Sequence, residues 1–377
     1  MNILTNKIFT FIKKEAVLTI SGIAAIITMF FVHPSREYLS YIDFRVLALL
    51  FCLMAAVAGF NEGGVFLKLS YILLKKVHSL RSLCLVLVML CFLTSMWITN
   101  DVALITFVPF AIMILNISGQ SKHTIKVVVL QTVAANLGSM LTPVGNPQNL
   151  SLYTYYNLSI SEFIMITLPF TIFSLFLLVI AVMIGKNESL DYDISNGSDS
   201  NKSTNKPIKV LMYALLFLLC LACVMRLIDY RITFLIVLAC ILIFDRKIIT
   251  KVDYTLLLTF VFFFIFVGNI GSIPVVKDFF NELLAGKEFA ISIAASQIIS
   301  NVPAAVLLSA FTDNYKALIL GVNIGGLGTL VASLASLISY KLYVKTENAR
   351  SGKYLGIFTL YNLIFLAVLC IFYFIII

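Results

Sequence analysis

Long apolar runs separated by short polar connections set the pattern of this chain. A helix needs about 20 apolar residues to cross a bilayer, within a range of about 17–25. Runs of that kind fall at about 16–33, 44–60, 124–142, 162–184, 208–227, 230–245, 254–270, 316–341 and 354–377, which predicts nine crossings. Two further apolar stretches, 82–116 and 288–312, are interrupted at Thr99-Asn100-Asp101 and at Ser300-Asn301-Val302-Pro303. Irregular backbone at membrane depth must be buried in protein or line water, so each stretch reads as a re-entrant helical hairpin. Segments 61–77 and 272–286 are led by glycine and carry Lys at intervals, the pattern of amphipathic arms near the interface. The fold class expected is an all-α polytopic membrane protein.

Composition agrees with the pattern. The 377 residues are 61% hydrophobic and 12% charged, with a mean hydropathy of +1.03. Soluble domains carry about 25% charged residues. A net charge of +9 would suit an acidic partner, but its distribution gives another reason for it. With the N-terminus inside, the outer segments hold only Arg36, Arg45, Arg226, Arg231, Lys277, Lys287 and Lys316, and the remaining 20 of the 27 Lys and Arg fall on the cytoplasmic side. That is the positive-inside bias, and it requires no nucleic acid. It puts the C-terminus outside, in a plasma (inner) membrane. Lys7, Lys13 and Lys14 precede the run at 16–32 as in a signal peptide, but the run is long and ends at His33-Pro34 without a small-residue cleavage site. An uncleaved first helix is expected. Residues 185–207 are rich in Ser, Asn and Gly and read as a flexible cytoplasmic linker between 1–184 and 208–377.

The polar residues inside these apolar surroundings are the candidate chemistry. Asp101 is the one charged residue between Arg81 and Lys122. A carboxylate at membrane depth is costly and reads as a sodium or proton ligand. Asn100 and Asn301 offer donors and acceptors at the hairpin tips. Thr99, Ser300, Thr142 and Thr329 can lend oxygens to a hard cation. Pro143, Gly145 and Pro147 unwind the chain beside Asn136, Asn146 and Asn149, and Gly325 and its neighbours do the same beside Asn323. Broken helices of this kind expose backbone dipoles that hold ions in transporters. Glu62 is a weaker candidate at the interface. A sodium site is expected near Asn100, Asp101, Thr142, Asn301 and Thr329. Three ordered matches relate the halves: Ala58-Gly59 to Val267-Gly268, Thr99-Asn100 to Ser300-Asn301, and Asn136-x-Gly138-x-x-x-Thr142 to Asn323-x-Gly325-x-x-x-Thr329. The extra helix at 208–227 makes the offset odd, so the second unit is expected to be inverted relative to the first.

These residues resemble the ion transporter superfamily, which includes citrate-type carriers, divalent-anion:sodium symporters, arsenite/antimonite efflux permeases and a family of sodium/proton antiporters. The resemblance covers essentially the whole chain. It rests on the Asn-centred tips, on Asn136 through Asn149, and on Gly321 through Thr329, and it is nearest to the citrate-transporter-like domain. It implies that the tips and broken helices bind solute and coupling ion (Na⁺ or H⁺), that the protein is a homodimer, and that transport is elevator-like. Dicarboxylate symporters carry Ser-Asn-Thr at both tips. Here Thr99-Asn100-Asp101 stands in the first, closer to the arsenite-permease pattern, with Ser300-Asn301-Val302 in the second.

Other function classes find less support. There is no G-x-x-x-x-G-K-[ST] nucleotide loop. His33, His78 and His123 sit beside charged residues in loops, and Cys220-x-x-Cys223 lies in an apolar run with no second pair nearby, so neither a metal site nor an enzyme is expected. A small anionic solute and the lipid bilayer are the expected partners. An arsenite-type effluxer or a Na⁺/H⁺ antiporter is the alternative.

Overall fold

A computed structural model describes residues 15–74, 77, 79–184, 187–188, 207–346 and 349–376. They form helices without a β-strand. In chain order these are α1 (Ala16–Met29), α2 (Tyr38–Tyr41), α3 (Phe44–Glu62), α4 (Val65–Leu74), α5 (Leu80–Ile98), α6 (Asn100–Ile117), α7 (Thr124–Ser139), α8 (Pro147–Tyr155) and α9 (Ile160–Met183). The second half adds α10 (Pro207–Val224), α11 (Tyr230–Phe244), α12 (Tyr254–Gly271), α13 (Pro274–Leu284), α14 (Glu288–Ile299), α15 (Asn301–Ser309), α16 (Tyr315–Ile324), α17 (Leu334–Val344) and α18 (Ser351–Ile376).

Local signals set the starts. The side chains of Asp43, Ser79, Ser159, Asp229, Asp253 and Asn314 each accept a backbone N–H in the first turn of the helix they precede. Such caps satisfy one of the four donors that a helix start leaves open. Six of the described helices are long and apolar enough to cross a bilayer: α3, α5, α6, α9, α12 and α18. α18 shows the environment they need. Tyr354, Phe358, Phe365, Leu369 and Tyr373 are buried on one face, while Leu360, Ile364, Ile371 and Phe374 are exposed on the other. A helix apolar all round is stable only where its outer face meets lipid or more protein.

The arms at 61–77 and 272–286 contain α4 and α13. The run at 316–341 is not one continuous helix: α16 ends at Ile324, α17 begins at Leu334, and non-helical chain joins them. The same happens after Ser139, where seven residues separate α7 from α8. Of the linker, 185–186 and 189–206 lie outside the described residues. Asn187 and Glu188 are pinned to the start of α5, where the Leu80 N–H donates to the Glu188 carbonyl at 2.9 Å and the Arg81 N–H to Asn187 Oδ1 at 3.3 Å.

The packing of the broken pieces follows one scheme in both halves. The first hairpin (α5, α6) packs on α7 of its own half and, through α6, on α17 of the other. The second hairpin (α14, α15) packs on α16 of its own half and, through α15, on α8 of the other. Around this assembly α3 packs on α10 and α11, and α1 packs on α12. Cys220 and Cys223 are buried in the cluster that α3 and α10 share.

Candidate functional site

Each hairpin turns at a single residue. Thr99 has φ 71° and ψ 149°, and Ser300 has φ 74° and ψ 154°. Positive φ at a non-glycine residue is strained, and strain of this kind persists only where the surroundings hold it. They hold it the same way twice. The Asn100 N–H donates to the Gly145 carbonyl at 3.1 Å, and the Asn301 N–H donates to the Ala332 carbonyl at 2.9 Å. Each tip is thereby anchored on the helix break of its own half.

Close approach of the hairpins requires glycine in the broken helices. A Cβ on Gly138 would lie 2.1 Å from the Phe92 carbonyl oxygen and 2.7 Å from Ser95 Oγ. One on Gly325 would lie 2.9 Å from both Ile293 Cα and Ser296 Oγ. The hydroxyls beyond these glycines also point the same way: Thr142 donates to the Met96 carbonyl, and Thr329 to the Gln297 carbonyl at 3.3 Å.

The breaks expose carbonyls, and the protein covers several of them itself. Asn149 Nδ2 donates to the carbonyls of Ser139, Met140 and Thr142 at 3.1, 3.2 and 3.1 Å. Gln297 Nε2 donates to those of Gly325 and Leu327 at 2.7 and 2.9 Å, and its Oε1 accepts the Thr329 N–H at 2.9 Å. Asn146 caps α8 by accepting the Asn149 N–H at 2.9 Å, with Pro147 at the first helical position, where a missing N–H costs nothing.

The two breaks are laced to each other. Asn146 Nδ2 donates to Asn323 Oδ1 at 3.1 Å, and Asn323 Nδ2 donates to Asn149 Oδ1 at 2.7 Å. In the mirror arrangement Asn136 Oδ1 accepts from Ser333 Oγ at 3.0 Å, and Asn136 Nδ2 donates to Ser336 Oγ at 3.4 Å. Asn100 Nδ2 joins at Asn136 Oδ1, 3.1 Å away. Asn136/Asn323, Asn146/Ser333 and Asn149/Ser336 stand at one constant separation along the chain. In each half, therefore, the last Asn of the first half-helix grips the cap and the third residue of the other half's second half-helix.

A cavity of about 360 Å³ reaches this network from one side. Thr99, Asp101 and Asn146 line its inner end, and Glu62, Lys251 and Asp253 also line it. Lys251 Nζ pairs with Glu62 Oε1 at 3.2 Å, and both side chains are more than half exposed, which puts them at the mouth. Three acids and one base make the cavity acidic. Asp101 sits in the first turn of α6.

The expected residues thus divide. Thr99, Asp101 and Asn146 meet on the cavity, and Asn100, Asn136, Asn146, Asn149 and Asn323 form the buried network. Ser300, Asn301, Gly325 and Thr329 gather at the second break, where Thr329 is exposed, apart from the acidic cavity. Sequence reasoning missed Ser139, Gln297, Ser333, Ser336, Lys251 and Asp253. The constant separation from Asn146 and Asn149 would have found the two α17 serines. Nothing local marks Lys251 or Asp253, which the fold carries in from the α11–α12 connection.

Comparison with known proteins fits this architecture. The uncharacterized transporter MJ0456 of Methanocaldococcus jannaschii is 34% identical over 336 residues, covering 88% of this chain and 90% of that protein. The inner membrane protein YbiR of Escherichia coli is 27% identical over 311 residues, or 81% of this chain and 82% of its own length. The silicon efflux transporter LSI3 of rice matches a shorter part, 28% identical over 147 residues, which is 39% of this chain and 30% of that protein. The profile of the citrate transporter family matches residues 3–317, from the N-terminal segment through both hairpins to the start of α16. Both hairpins and the first helix break lie within that range, the second break lies just beyond it, and the chain belongs to the citrate transporter family.

Proposed function

We propose that this chain is a secondary active transporter of a small oxygen-rich solute, driven by Na⁺ or H⁺, working as a homodimer in the plasma membrane with its N-terminus cytoplasmic. The observation that carries the reading is the acidic cavity ending on Thr99, Asp101 and Asn146, where a hairpin tip meets a helix break. Half-helix N-termini and amides there can hold a solute's oxygens, and Asp101 can hold the coupling ion. The laced breaks tie both hairpins and both broken helices together. That body moves as a unit against the frame of α1, α3 and α10–α12, with the second half inverted relative to the first.

The charge of the cavity constrains the solute. A bare polyanion would face Asp101 and Asp253, because Glu62 and Lys251 are paired with each other. A small inorganic oxyanion or carboxylate must therefore enter together with a cation. The same acidity supports a second reading, a neutral hydroxide carried outward, in keeping with the silicon efflux relative. Proteoliposomes separate the two. Uptake of radiolabelled citrate or inorganic oxyanion that requires an imposed Na⁺ or H⁺ gradient supports the first. Transport of arsenous or silicic acid with no response to citrate supports the second. Inert liposomes under every gradient would refute both.

A further inference from the structure

A second cavity, of about 840 Å³, has the opposite charge. It lies where the α6–α7 connection meets the α17–α18 connection. Lys122, Lys345, Arg350 and Lys353 line it, together with the hydroxyls of Ser121 and Thr346. Glu188 engages Lys122 at 2.9 Å. Lys345, Arg350 and Lys353 have no ion-pair partner among the described residues, and Glu347 of the same connection lies outside them. Two helices also begin beside the cavity, α7 at Thr124 and α18 at Ser351, which brings the positive ends of two helix dipoles near it. The Arg350 N–H donates to the Tyr343 hydroxyl at 3.0 Å, which leaves the phenol proton free to be donated. Tyr343 lines the same cavity.

Converging cations, hydroxyls and helix starts make a phosphate site, since a phosphate takes several charge-assisted bonds at once. The surroundings indicate its source. Met113 and Ile117 on α6 and the outer row of α18 are exposed apolar residues, the kind of surface that lipid tails cover. The charge distribution expects these connections in the cytoplasmic leaflet, where anionic headgroups collect. We propose that this cavity binds the phosphate of an anionic phospholipid headgroup and thereby ties α6 and α7 of the first half to α17 and α18 of the second.

The test uses the full chain purified in neutral detergent. Melting temperature and lipid retention by native mass spectrometry are measured with added phosphatidylglycerol, phosphatidylcholine or inorganic phosphate. Phosphatidylglycerol should stabilise and be retained, phosphatidylcholine should do neither, and NaCl should weaken the effect in the unmodified protein. The triple variant Lys345→Gln, Arg350→Gln, Lys353→Gln should lose retention by about a hundredfold, from three basic residues at a membrane surface. Its melting temperature without lipid should match the parent's, because these side chains are at the surface. Stabilisation by inorganic phosphate alone, lost in the variant, would place a soluble phosphate in the same site in place of the lipid. Equal retention of phosphatidylglycerol and phosphatidylcholine, or equal retention by parent and variant, would overturn the site.

Discussion

Asn323 is the clearest place to ask whether the two helix breaks hold each other. Replacing it with Ala removes the bond accepted from Asn146 at 3.1 Å and the bond donated to Asn149 at 2.7 Å. Net contributions of about 0.5–1.5 kcal/mol each give about 1–3 kcal/mol. Asn146 keeps Ser139 Oγ as an acceptor, but Asn149 Oδ1 loses its donor while buried, which adds about 1 kcal/mol or more. The expected loss is about 2–4 kcal/mol, nearer the lower figure if membrane hydrogen bonds contribute less than those in water. Asn149→Ala should be costlier, because it also strips the cover from three carbonyls of the first break. The decisive quantity is the coupling. Asn323→Ala with Asn149→Ala should lose about 1–2 kcal/mol less than the sum of the single losses, since the shared bond can be lost only once. Unfolding of the purified protein in mixed micelles at rising SDS measures all four corners of the cycle. Asn362 supplies the control: it is buried in α18, donates only to its own helix at Phe358, and its Oδ1 is unpaired. Asn362→Leu should be neutral or stabilising. A coupling below about 0.5 kcal/mol would mean that the Asn323–Asn149 contact does not join the halves, and the reasoning would fail.

Three further outcomes are expected. Asp101→Asn should leave the melting temperature intact but abolish accumulation driven by Na⁺ or H⁺ in proteoliposomes; unchanged dependence on both ions would make Asp101 structural. Gly138→Ala should destabilise by about 1–3 kcal/mol, because its Cβ would lie 2.1 Å from a backbone oxygen, whereas Gly356→Ala, with nothing within 4 Å, should be near neutral by thermal melting. Burial, with Lys122 adding to it, holds His123 below its ordinary value of 6.5. The unfolded chain then binds more protons than the folded one just below 6.5, so this contribution is full above that pH and is lost as pH falls beneath it. A His123→Gln variant should lose that slope in melting temperature between pH 5 and 7, and an unaltered slope would assign it to another group.

Much of the frame was legible in the apolar pattern, and the reason is physical. Lipid forces continuous backbone pairing, so run length and helix length track each other. The run expected at 354–377 is the helix Ser351–Ile376, and that at 254–270 is Tyr254–Gly271. The pattern loses its meaning where the protein itself supplies the missing partners. Between Gly325 and Ser333 the residues Leu327, Leu330, Val331 and Ala332 are as apolar as a helix, so hydropathy runs on through the break. The backbone can leave the helix there because Gln297, from the second hairpin, donates to the Gly325 and Leu327 carbonyls. No local signal announces a partner that distant. The tips are the converse case, since Asn100 and Asn301 were conspicuous for their polarity at membrane depth.

Polarity at depth does not by itself separate a ligand from a strut, because an amide side chain serves either role with the same atoms. What separates them is which bonds are already filled. Asn136, Asn149 and Asn323 spend donors and acceptors on the opposite break, and the Thr142 and Thr329 hydroxyls are engaged by hairpin carbonyls. Asp101 has its side chain on the cavity, beside Thr99 and Asn146. The group open to exchange with a solute is therefore an acid at the N-terminus of α6, within an acidic cavity. In the function proposed above, a cation bound there would add positive charge to a site whose own base is paired, and solute oxygens could then approach the nearby amides. Release of the cation would restore the repulsion. In that proposed function, coupling would need no distant relay, because the cation on Asp101 and the solute oxygens on the neighbouring amides would share one cavity.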